Sequence, residues 1–196
     1  MSYPDRFIKM LVKNGANLNK EGHELLSEYI YYFGQQDCNK MIKYLLNKGA
    51  DPDKNALVVA VTKNNYDLVQ ILLKNGADVN QKNEKGITAI MAACYSENYE
   101  EEPGINTRKQ YRIIRLLIEK GADISLKDNK GNTVEKYIQQ YRKNIENGNH
   151  EYTESLYKLI KSYKIIHYLF LLYYTITMNI PEGIVRALGP YEVKIC

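Results

Sequence analysis

The chain has 196 residues, 44% of them hydrophobic and 26% charged, and a net charge of +4. That length holds one domain with a sizeable core, or one repeat array with a tail, and the composition is ordinary for a soluble globular protein. The basic residues are scattered among acidic ones instead of forming one run, which argues against a nucleic-acid footprint. Cys38, Cys94 and Cys196 are odd in number and widely spaced, so a reducing intracellular compartment is expected rather than a disulfide framework. Met1 to Asp5 show no basic segment leading into an apolar one, and no secretory signal is expected. Tyr outnumbers Phe by 18 to 3, a bias found in AT-rich genomes such as those of intracellular pathogens and large DNA viruses. The expected location is therefore the cytoplasm, a host cell's if the source is of that kind.

Along the chain, Asp5 to Lys13 reads as a helix stopped by Gly15, with no partner helix before it. It is either a minimal cap or the trace of a longer array. Residues 11–19, 45–53, 72–80 and 117–125 align without gaps. Each has an apolar pair, two polar residues, and then Gly-Ala-Asp or Gly-Ala-Asn. The apolar run ends an amphipathic helix, glycine supplies the left-handed stop, and the Asp or Asn bonds back to its own turn. The four glycines lie 34, 27 and 45 residues apart. In the short interval Asp53 runs almost directly into a helix at Ala56. The long one carries an insertion, Tyr95 to Asn106, where Pro103 and Gly104 predict an extended loop near 95–108. Arg142 to Glu154 reads as a similar polar lengthening. Leu156 to Ile160 closes the series, and Ile165 to Ile176 is apolar nearly all round. Even stretched to Ile180, that segment is shorter than the roughly 18 to 20 residues that span a bilayer. It either packs on the last repeat, binds a partner or another copy, or touches a membrane. Pro181 to Cys196 reads as irregular.

The four strings resemble the ankyrin repeat, whose period is about 33 residues and whose first helix opens with a Thr-Pro-Leu-His-like box. Gly86-Ile-Thr-Ala-Ile-Met carries Thr88 at the box's Thr and Ala89 at its Pro, and Gly131-Asn-Thr places Thr133 similarly. The resemblance covers about residues 5–163. It implies an all-α ankyrin-repeat solenoid of about four helix-turn-helix units with short hairpin-like loops, the first unit partial. This array would occupy residues 1–163, followed by an apolar C-terminal helix and irregular tail over 164–196.

In that family, contacts come from the hairpin fingertips and the exposed face of each first helix. Carried over, these are Glu84, Lys85 and Ile87 at one finger, Tyr95 and Ser96 on the following helix, and Asn129, Lys130 and Asn132 at the next finger. Ile87 stands out as an apolar residue expected at an exposed tip. The inserted loop adds Tyr99, beside Tyr95 and Glu100 to Glu102, a mixture that interfaces favour. The missing finger before Ala56 leaves a gap in the row. The resemblance also marks Asn80 as a possible hydroxylation site, against the plainer reading of a turn asparagine.

Catalytic signatures are missing from the sequence: no phosphate loop, no paired Cys or His, no nucleophile elbow. Cys94, after Ala92 and Ala93, reads as a small core residue. The expectation is a non-enzymatic scaffold that holds a protein partner and uses no cofactor or metal. Two alternatives stay open: an adaptor anchored to a membrane by residues 165–180, and a remnant of a larger repeat array.

Overall fold

The computed structural model describes residues 3–20, 24–34, 38–52, 55–95, 103–144 and 150–177. Among them are helices and no strand: α1 (Tyr3–Lys13), α2 (Leu25–Phe33), α3 (Asn39–Asn47), α4 (Ala56–Thr62), α5 (Tyr66–Lys74), α6 (Ala89–Cys94), α7 (Pro103–Glu119), α8 (Val134–Asn144) and α9 (His150–Thr177). α2, α4, α6 and α8 pack on one another in chain order, and α3, α5 and α7 form a second row. Within the pairs, α4 lies against α5, α6 against α7, and α8 against α9. The fold is therefore an all-α solenoid of helix pairs led by a single helix. α1 joins it through the Tyr29 hydroxyl, which donates to Asp5 Oδ1 at 2.6 Å, and through Lys9 Nζ, 5.0 Å from the Tyr44 ring centre.

The repeated string explains the turns. Gly15, Gly49, Gly76 and Gly121 all adopt positive φ, between 81° and 91°. The amide of the alanine after each one reaches back to the carbonyl of Leu11, Leu45, Leu72 or Leu117, at 3.0–3.1 Å. This is the glycine-stopped helix end that satisfies the last carbonyls. Asn17, Asp78 and Asp123 then accept from the amide two residues on, at 2.8–2.9 Å.

A second contact links one turn to a later one. Asn19 donates to the Gly49 carbonyl (2.7 Å) and accepts from the Asp51 amide (2.8 Å). Asn80 does the same with the Gly121 carbonyl (3.1 Å) and the Asp123 amide (2.7 Å). The asparagines are staples, and both ends of the Asn80 side-chain amide are occupied.

Burial follows position in the stack. Leu45, Leu72 and Leu117 are fully buried, whereas Leu11, at the same place in the string, is 41% exposed. An inner unit is covered on both sides and an outer one on one side only. The inner first helices are short and rich in alanine. All six residues of α6 are buried, and Ala56, Ala60, Ala89 and Ala93 allow close helix approach. Gln110, itself buried, donates from Nε2 to the Ala93 carbonyl and ties the end of α6 to α7.

Three expectations are corrected. Residues 103–108, expected as loop, are the first turns of α7. Proline fits the first helical turn, whose amides have no intrahelical partner, so Pro103 opens this helix instead of breaking it. Of the polar lengthening of 142–154, residues 142–144 and 150–154 are helical, ending α8 and opening α9, and 145–149 lie outside the described residues. Finally, α9 is one helix that crosses residues 163 and 164 without a break, so a unit boundary there has no structural mark. No glycine or proline interrupts residues 150–177, and the buried or half-buried Leu156, Ile160 and Tyr163 keep helical spacing.

Candidate functional site

Two hairpin fingers share one construction. In the first, Asn83 Oδ1 accepts from the amides of Lys85 (3.0 Å) and Ile87 (2.9 Å), and the Asn83 amide donates to the Ile87 carbonyl (3.1 Å). In the second, Asp128 Oδ1 accepts from the amides of Lys130 (2.9 Å) and Asn132 (2.7 Å), and the Asp128 amide donates to the Asn132 carbonyl (3.0 Å). The fingers are also bonded to each other. The Asn129 amide donates to the Lys85 carbonyl (3.1 Å) and its Nδ2 to the Glu84 carbonyl (2.8 Å), while Lys82 Nζ donates to the Lys127 carbonyl (2.8 Å). The closeness fixes Gly86: a Cβ there would sit 2.4 Å from Asn129 Oδ1 and 2.6 Å from its amide nitrogen.

Asp128 anchors more than its own finger. Its Oδ2 accepts from Asn132 Nδ2 (2.9 Å) and from the Tyr137 hydroxyl of α8 (2.7 Å). Burial pushes the carboxyl up, but hydrogen bonds from Asn132, Tyr137 and Lys130 outweigh it and hold the group at about 2. Burial and the Asp128 charge raise the Tyr137 hydroxyl above its ordinary range. The ring of Tyr137 meets Tyr95 edge-on, with centroids 5.7 Å apart and planes at 76°.

The first finger and the first helices enclose a cleft of 520 Å³. One side is α4, through Asn55, Val58 and Thr62. Ala92, Tyr95 and Tyr137 from α6, its C-cap and α8 line it as well, and Asn83, Glu84, Lys85 and Ile87 come from the finger. The result is a partly apolar, tyrosine-walled groove with one exposed charge of each sign beside it. At the start of α4, Asn55 Nδ2 donates to the Glu24 carboxylate.

The expected contact residues divide. Glu84 and Lys85 are exposed beside the cleft, and Tyr95 is a half-buried part of its wall. Ile87 is not an exposed tip: it is half-buried and packs on the core, because the Asn83 turn folds it inward. Asn129 spends its side-chain amide tying the two fingers together, and Asn132 spends its own within the second finger, on Asp128. Lys130 is exposed on the second finger, away from the cleft lining. Ser96, Tyr99 and Glu100 to Glu102 lie outside the described residues.

Sequence reading missed Val58, Thr62, Asn83, Asp128 and Tyr137. One signal was available: Asn83 and Asp128 each stand three residues before a positive-φ glycine, Gly86 and Gly131. Cys94 is buried, and burial followed by the Glu135 charge pushes its thiol up to about 12, which leaves it unreactive. Among the described residues, no helix is long and apolar enough to cross a membrane.

Against known proteins, the sequence pattern of ankyrin repeats (3 copies) matches residues 2–83, 33–128 and 57–170. An ankyrin repeat protein of Acanthamoeba polyphaga mimivirus is 32% identical over 87 residues, covering 43% of this chain and 27% of the viral protein. An ankyrin repeat protein of Fowlpox virus (strain NVSL) is 30% identical over 97 residues, covering 46% of this chain and 14% of the relative. The matched stretch therefore spans well under a third of either relative.

Proposed function

The chain belongs to the ankyrin-repeat family, and from that premise we propose that it is a scaffold that holds one protein partner in the cleft between its first finger and the row of α4, α6 and α8. Ankyrin repeats generally mediate protein–protein interaction and generally carry no catalysis. The observation that carries the reading is the cleft itself. Its Tyr95–Tyr137 wall and the exposed Glu84 and Lys85 give a buried aromatic anchor with a polar rim, the arrangement on which protein contacts concentrate their binding energy. Asp128 and Asn129 brace the fingers beforehand, so little ordering remains to offset affinity. The short sequence between Asp53 and Ala56 leaves little chain to build a finger before α4, which suits an extended segment better than a compact ligand. The mimivirus and Fowlpox virus relatives support a location in host cytoplasm.

The test is affinity capture from a host-cell extract, read by mass spectrometry. It compares the full chain with a variant carrying Glu84→Lys, Lys85→Glu and Thr62→Arg, three changes beside the cleft that leave the fingers' internal bonds in place. A protein retained by the full chain and lost by the variant, at unchanged melting temperature, is the expected result. Equal retention by both would remove the cleft from the binding surface.

A further inference from the structure

Basic residues are scattered in the sequence, but the fold sorts them. α1, α3, α5, α7 and α9 carry thirteen Lys or Arg against five Asp or Glu. The row of first helices, α2, α4, α6 and α8, carries three against two. The helices that do not line the cleft therefore hold the positive charge.

α9 adds an apolar component to this charge. At 100° per residue, Leu156, Ile160 and Tyr163 share the face turned toward the stack, and all three are buried or half-buried. The opposite face aligns Tyr157, Lys161, Ile165 and Tyr168, flanked by Lys158 and Leu169. Ile165 is 52% exposed, Tyr168 64% and Leu169 55%. Lysines lead along this face into exposed aliphatic and tyrosine side chains. Also on it, Glu154 lies 3.8 Å from Lys158.

We propose that this face of α9 docks on an anionic lipid bilayer surface, with Lys158 and Lys161 among the headgroups and Ile165 and Leu169 at the acyl boundary. Charge complementarity selects this occupant. Lysines near a negatively charged leaflet are attracted to it, their long stems reach past buried apolar neighbours, and tyrosine suits the interface. Nucleic acid would satisfy the lysines and leave Ile165 and Leu169 in water. A second copy on the same face would bring like-charged lysines into one contact. Among the described residues no helix is both long and apolar enough to cross the bilayer, so α9 lies along the surface, where apolar burial and basic charge act together. The cleft belongs to the other row of helices, so a membrane-docked chain keeps it available to a partner.

The experiment is flotation of the full chain with vesicles of phosphatidylserine in phosphatidylcholine, beside vesicles of phosphatidylcholine alone. The chain is expected to float with the anionic vesicles only, and less as salt rises. Lys158→Gln with Lys161→Gln should lower partitioning roughly 10- to 30-fold. Ile165→Gln with Leu169→Gln should abolish flotation while circular dichroism and melting stay unchanged. No flotation, equal flotation with both vesicle types, or flotation indifferent to both variants would overturn the proposal. So would a dimer dispersed by the Ile165 and Leu169 changes, or binding to duplex nucleic acid in place of vesicles.

Discussion

The hydroxyl of Thr88 is fully buried before α6 and has no hydrogen-bond partner among the described residues. Met91, three residues on, occupies the place of His in the family's box and offers a thioether instead of a ring nitrogen. A buried, unpartnered polar group costs about 1–3 kcal/mol, so Thr88→Val, similar in shape, should stabilise the fold by about 1 kcal/mol. Urea denaturation measures it, and a lower midpoint would contradict the reading. Asp128 shows the opposite case, a buried carboxylate with its acceptors filled. Its carboxyl lies at about 2 when folded, against an ordinary 3.8, so its contribution is fully present above the higher value and disappears as pH falls toward the lower. Stability of the native chain should fall across that window, and Asp128→Asn should flatten the fall in acid-unfolding curves. An unchanged acid limb would show that Asp128 is not the group responsible.

At the scale of elements, two asparagine staples predict different outcomes. Asn80 joins inner turns, and Asn80→Ala removes two bonds, about 1–2 kcal/mol in all, which should lower the urea midpoint of the whole array. Asn19 ties down the end helix, so Asn19→Ala should loosen α1 first, seen as faster amide exchange over residues 3–15 with little change elsewhere. Equal, global effects of the two would deny the end helix any independence. Second-helix endings were legible in the sequence because the Gly-Ala-Asx turn is made by neighbours in the chain. The wall of the cleft was not, because Val58 and Tyr137 meet it only through units far apart in sequence. Pro103 misled because proline serves both loops and first helical turns, and Ile87 because its inward turn depends on the Asn83 side chain.

For the whole molecule, the solenoid separates two surfaces. Fingers and first helices form a braced, tyrosine-walled cleft, and the second helices hold the positive charge. Neither is visible in the net charge of +4 or in any single repeat, since both arise from the stacking of units. The most direct test of the scaffold is hydrogen exchange on the full chain, with and without the protein it captures. Protection is predicted over residues 82–95 and at the end of α4, with α3 and α5 unchanged. Protection confined to the second helices, with 82–95 unaffected, would contradict the account.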